Sequence, residues 1–148
     1  MRQIARFLRL PSEDRRLVIR AAVSLWVMRM GLSLVSVPTL RRLLIERKPG
    51  VGGGTSSAES SVERVIWAVR TASRVTPWAS TCLTRALAAQ MMLARLGEET
   101  RIQIGVAKDE QGSLKAHAWL ESRGRIVIGG KKSPAEFTTL RNLEGNAQ

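Results

Sequence analysis

Two residues in this chain of 148 are singular: one cysteine, Cys82, and one histidine, His117. A thiol and an imidazole are together enough for covalent catalysis. The thiolate attacks a carbonyl, and the imidazole takes and returns the proton. Cys82 follows Trp78-Ala79-Ser80-Thr81 and opens a stretch with helical spacing that runs to Leu96. At a helix N-terminus a thiolate gains from unsatisfied N–H groups and from the positive end of the helix dipole. The Cys82 amide is also placed to meet an oxyanion. His117 lies in Leu114-Lys115-Ala116-His117-Ala118-Trp119-Leu120-Glu121, which reads as a strand. On such a strand Lys115, His117, Trp119 and Glu121 share one face, and Ala116, Ala118 and Leu120 share the other. The small apolar side suits packing under helices, and the side bearing His117 and Trp119 is then expected to line a cleft.

Structural readings compete with these. A lone cysteine at a helix start is often a small buried hydrophobe, and a lone histidine on a strand often only completes a hydrogen-bond network. One Cys and one His are too few for a usual zinc shell, so neither metal nor cofactor is expected.

The elements that must position the pair follow from periodicity. Pro11-Ser12-Glu13-Asp14 starts a helix, with acidic residues in its first turn. Leu17 to Val37 is apolar on most sides, yet Arg20 and Arg29 lie within it. Two arginines argue against a membrane-crossing segment of roughly 20 apolar residues. A buried helix, or one docked on a partner or membrane surface, fits better. Pro38 is expected to end or bend it, with a short basic helix over Leu40 to Arg47. Residues 48–61, KPGVGGGTSSAESS, read as a linker. Gly52-Gly53-Gly54-Thr55 lacks the Lys-Ser/Thr ending of a phosphate loop. Ser60-x-x-Glu63 is a capping box for a helix that Thr76-Pro77 stops. Ser80 or Thr81 caps the Cys82 helix, and Gly97 ends it. The period then changes to two: Ile102, Ile104 and Val106 mark one strand, Leu114–Glu121 a second and Arg125–Ile128 a third. Helices first and an antiparallel sheet afterwards make the class α+β.

One domain is expected at this length, parsed as a basic helical region 1–47, a linker 48–61, a core 62–141 and a tail 142–148. The net charge of +12 is uneven: residues 1–50 hold 11 basic and 3 acidic residues, a net +8. Such a half can meet nucleic acid, an anionic membrane surface or an acidic peptide. Nucleic acid is disfavoured, because basic and aromatic residues are not interleaved for base stacking. A single cysteine forms no internal disulfide, and arginines interrupt the apolar N-terminal run as no secretory signal would. The expected compartment is the cytoplasm.

Thr81-Cys82-Leu83-Thr84-Arg85-Ala86-Leu87 and Ala116-His117-Ala118-Trp119-Leu120-Glu121, in this order around a helix and a strand pair, resemble the transglutaminase-like, papain-related core. More narrowly, the chain resembles the leader peptidases of lasso-peptide biosynthesis. Shared with them are Leu-x-x-Glu-Asp-Arg-Arg-Leu over Leu10–Leu17, Trp-Ala-Val-Arg over 67–70 and Val-Ile-Gly-Gly over 127–130. The resemblance spans about residues 8–130. It implies a cysteine protease that cuts the leader from a ribosomal precursor, with Cys82 as nucleophile and His117 as acid and base. The core peptide's new N-terminus is then free for macrolactam formation by a separate cyclase. The implied partners are the precursor, a separate leader-recognition protein and the cyclase; peripheral membrane contact stays open. A transglutaminase-like acyltransferase and a non-catalytic basic binding protein are the alternatives.

The chain departs from the resemblance in one respect. Many members carry an Asp about a dozen residues after the His, where this sequence has Ile128-Gly129-Gly130. Glu121 is four residues from His117, roughly 13 Å along a strand and beyond hydrogen-bond reach. Asp109, Asn142 or a backbone carbonyl are the other candidates for orienting the ring.

Overall fold

The computed structural model describes residues 10–44, 55–79, 81–108, 111–129 and 138–140. Among them four helices precede a four-stranded antiparallel sheet, an α+β arrangement. Helix α1 spans Ser12–Leu34, with Pro11 before its first turn and Glu13 and Asp14 within it, where they meet the positive end of the dipole. Val35 is extended, which stops the helix. Helix α2, Val37–Leu44, starts immediately afterwards, so Pro38 opens this helix instead of closing the last one. Proline's missing N–H costs nothing in a first turn. Leu40 is buried against Gly31 of α1, where even a methyl group would overlap it.

Helix α3 spans Thr55–Val75. It begins well before the Ser60 capping box, inside the span read as linker. Once Gly54 is passed, nothing in Thr-Ser-Ser-Ala-Glu-Ser-Ser breaks a helix. Arg64 of α3 donates to Asp14 of α1 at 2.7 Å, tying the two helices. After a 3-10 turn at Pro77–Ala79 comes α4, Cys82–Ala94. The turn after it closes at Gly97, whose φ of 76° lets the Glu98 N–H reach back to Leu93 O at 3.1 Å.

The sheet has β1 (Thr100–Lys108), β2 (Leu114–Ser122), β3 (Arg125–Ile128) and β4 (Thr138–Leu140), in the order β3-β2-β1-β4. Strand β4, which the periodicity did not signal, pairs with β1 opposite Ile104, Gly105 and Val106. Arg123 and Gly124 both have positive φ in the two-residue turn between β2 and β3, the geometry that matches strand twist. A register shift at Leu120/Glu121 bulges β3. Arg70 of α3 donates to Val127 O there at 2.9 Å.

One apolar core joins these parts. Leu25 and Met28 of α1, Val65 and Val69 of α3, Leu87 and Leu93 of α4, and Ile102, Leu120 and Ile128 of the sheet are all buried together. Each such side chain contributes about 2 kcal/mol by leaving water.

Candidate functional site

Cys82 is the first residue of α4. The helix starts there because Thr81, extended at φ −67° and ψ 162°, caps it. Its Oγ1 accepts from the Thr84 N–H at 3.3 Å and shares a 2.7 Å hydrogen bond with the Thr84 hydroxyl. A cap of this type is worth about 1 kcal/mol. The Arg85 N–H is taken by Thr81 O at 3.0 Å. The amides of Cys82 and Leu83 come at the very start of the helix, where no intrahelical carbonyl can reach them. The Cys82 thiol is in no disulfide and is half-buried. Trp78, in the turn leading to it, is 66% exposed.

His117 stands on β2 opposite Gly105 of β1, so no side chain from that neighbour crowds the ring. Its Nε2 is 2.8 Å from the Gly129 carbonyl oxygen, just past the end of β3. A carbonyl only accepts, so Nε2 carries a proton, and in the neutral ring the lone pair is then on Nδ1. This contact lies twelve residues after the histidine, at the position where the resemblance places a carboxylate. Of the other candidates for orienting the ring, Glu121 accepts from Trp119 Nε1 at 3.0 Å, while Asp109 and Asn142 lie outside the described residues.

Gly129 is required where it stands. Its φ is +92°, and an added Cβ would lie 2.8 Å from both Ala118 O and Trp119 Cβ. Trp119 itself corrects the expected cleft face. It is only 3% exposed, stacked beside His117 with ring centroids 6.5 Å apart. The imidazole is half-buried and Trp119 is covered, so it does not face an open cleft.

Helix–sheet packing brings the two candidates to one end of the molecule. Gln90 of α4 donates to Thr100 O at 3.1 Å, and α4 packs on β1, β2 and β3. From Gln90 back to Cys82 is about 12 Å of helix. From Thr100 along β1 to Gly105, the partner of His117, is about 17 Å of strand. Both paths run away from the short α4–β1 turn, so the helix start and His117 share the far end. They approach it differently. Ile102 and Leu120 turn toward the helices in the core, while His117 belongs to the alternate set of positions. No direct hydrogen bond joins thiol to ring among the described residues.

Sequence reasoning passed over Arg85, one turn into α4. Its Nε is buried and finds no acceptor among the described residues. Only three-dimensional burial reveals this, since Arg85 has no sequence signature of its own. Among the described residues no group of three or more His, Cys, Asp and Glu could hold a metal ion.

A family model described as the transglutaminase-like superfamily matches residues 24–142. No curated protein and no solved structure matches the chain.

Proposed function

The chain belongs to the transglutaminase-like superfamily, and from that premise we propose that it is a cysteine peptidase that removes the leader from a lasso-peptide precursor. The observation that carries the reading is the His117–Gly129 hydrogen bond. It holds the imidazole in the tautomer whose Nδ1 can take a proton from a thiol. The narrower assignment rests on the sequence resemblance over Leu10–Leu17, 67–70 and 127–130.

In this mechanism the Cys82 thiol gives its proton to His117 and attacks the carbonyl carbon of the last leader residue. The oxyanion is met by the first amides of α4. As the C–N bond breaks, His117 returns the proton to the departing amine, which is the new N-terminus of the core peptide. His117 then deprotonates a water, which displaces Cys82 from the thioester and frees the leader as a carboxylic acid. The initial proton transfer requires thiol and ring to come within hydrogen-bond distance once substrate is bound. It also requires a rearrangement at the end of the sheet, since His117 is on the positions alternate to those that face the helices. A peptide carbonyl beside Arg85 would give its buried Nε an acceptor that the described residues do not supply.

The test is leader release from precursor incubated with the leader-recognition protein and this chain, followed by mass spectrometry. Cys82→Ala and His117→Ala should each lower the rate by about a thousandfold or more with unchanged circular dichroism. Wild-type cleavage by either variant overturns the mechanism. An amide adduct on the leader in place of the free acid would instead identify an acyltransferase.

A further inference from the structure

Helix α1 is apolar on two opposite sides, and the core uses only one of them. Val18, Ala21, Leu25 and Met28 are buried. Ile19, Val23, Trp26, Val27, Met30 and Leu34 are exposed, Val23 at 56% and Leu34 at 77%. At 100° per residue these six fall within an arc about 100° wide, opposite the buried set, over about 22 Å of helix.

We propose that this outer face seats the protein on an anionic membrane surface, with α1 lying in the plane of the lipid–water boundary. Charge selects that occupant. From Arg15 to Leu44 the chain carries six arginines and no acidic residue. Arg20 and Arg29 are exposed and border the apolar arc on its two sides, while Arg16 is exposed at its N-terminal end. On α2, Arg42 and Leu43 are also exposed. Apolar side chains dipping into the acyl boundary with arginines at headgroup level are the two halves of interfacial binding.

The helix is long and apolar enough to span a bilayer by length and composition. Spanning, however, would strip Leu25 and Met28 from the core and carry Arg20 and Arg29 through hydrocarbon. Lying flat does neither. An acidic protein groove would also complement the arginines. The outer arc itself, though, offers no hydrogen-bonding side chain from Ile19 to Leu34 apart from the indole of Trp26, which suits lipid better than a wet protein interface.

The experiment is flotation of the full chain with phosphatidylglycerol/phosphatidylcholine vesicles, against phosphatidylcholine alone. Binding is expected to the anionic vesicles and to weaken about tenfold or more in neutral ones or at 0.5 M salt. The exposed pair V23E and W26E, checked for an unchanged thermal melt, should abolish it. Arg16→Gln, Arg20→Gln and Arg29→Gln should each cost roughly fivefold. Absence of binding to anionic vesicles overturns the proposal, as does binding that survives V23E and W26E. So does a result in which those two substitutions leave vesicle binding intact and abolish association with the leader-recognition protein, since the face would then be a protein interface.

Discussion

Gly129 acts through its carbonyl, so the residue that holds His117 contributes no side chain at all. Gly129→Ala forces a β-carbon into Ala118 O and Trp119 and a left-handed φ onto a residue that resists it. It should cost about 1–3 kcal/mol and shift the carbonyl from Nε2. A displacement near 1 Å costs about 100-fold in rate. Gly124→Ala is the control: its φ is +75°, yet nothing lies within 4 Å of the added atom. It should lose comparable stability while each folded molecule keeps the full activity of the proposed peptidase. Equal specific activity in both variants would reduce Gly129 to a structural role. At this scale the places of Cys82 at a helix start and His117 on a strand were legible because each is unique and flanked by readable helix and strand signals. The orienting group was legible only as one option among several, because a main-chain carbonyl has no residue type to recognise. The burial of Trp119 was not legible, since strand alternation tells which residues share a face but not what covers it.

Elements were read best where a local signal sets their ends. Pro11 with its acidic first turn, the Thr81 cap and Gly97 each bound a helix as expected. The start of α3 and the three-residue β4 were missed. The first has no breaker between Thr55 and Ser60, and the second exists through pairing with β1 and not through composition. Glu98 joins the end of α4 to the β2–β3 turn. Its carboxylate accepts from Ser122 Oγ at 2.8 Å and from Arg123 Nε and Nη2 at 2.8 and 2.9 Å. Burial alone would push its pKa up, but the hydrogen bonds from Arg123 and Ser122 and the charge of Arg123 outweigh that and hold it below the ordinary 4.5. A carboxylate depressed on folding stabilises the protein above its unfolded pKa. That stabilisation fades as pH falls through the folded value. Denaturant melts from pH 7 to pH 3 should show this acid loss. Glu98→Gln should be less stable at pH 7 and less sensitive below 4.5. An unchanged acid slope in the variant would assign the sensitivity to other carboxylates.

For the whole molecule, the boundary drawn at residues 48–61 does not separate two cores. Helix α1 packs directly on α3 and α4, and the family match itself begins inside α1, at residue 24. Deleting residues 1–47 would remove Val18, Leu25, Met28 and Leu40 from the shared core. At about 2 kcal/mol each this approaches the whole stability margin of about 5–15 kcal/mol. The remaining chain should show no cooperative thermal transition by circular dichroism. A sharp melt would mean that the C-terminal part is an independent domain. The two-sided α1 has a consequence for assembly. During synthesis it emerges before α3 and α4, with two apolar faces and neither partner yet made. What later selects the inward side is size and charge: Ala21 and Ser24 allow close approach, and Asp14 is positioned for Arg64, fifty residues downstream. Docking by the bulkier Trp26 side is therefore the natural misfolding trap, and a nascent chain that meets a surface early would be kept from it.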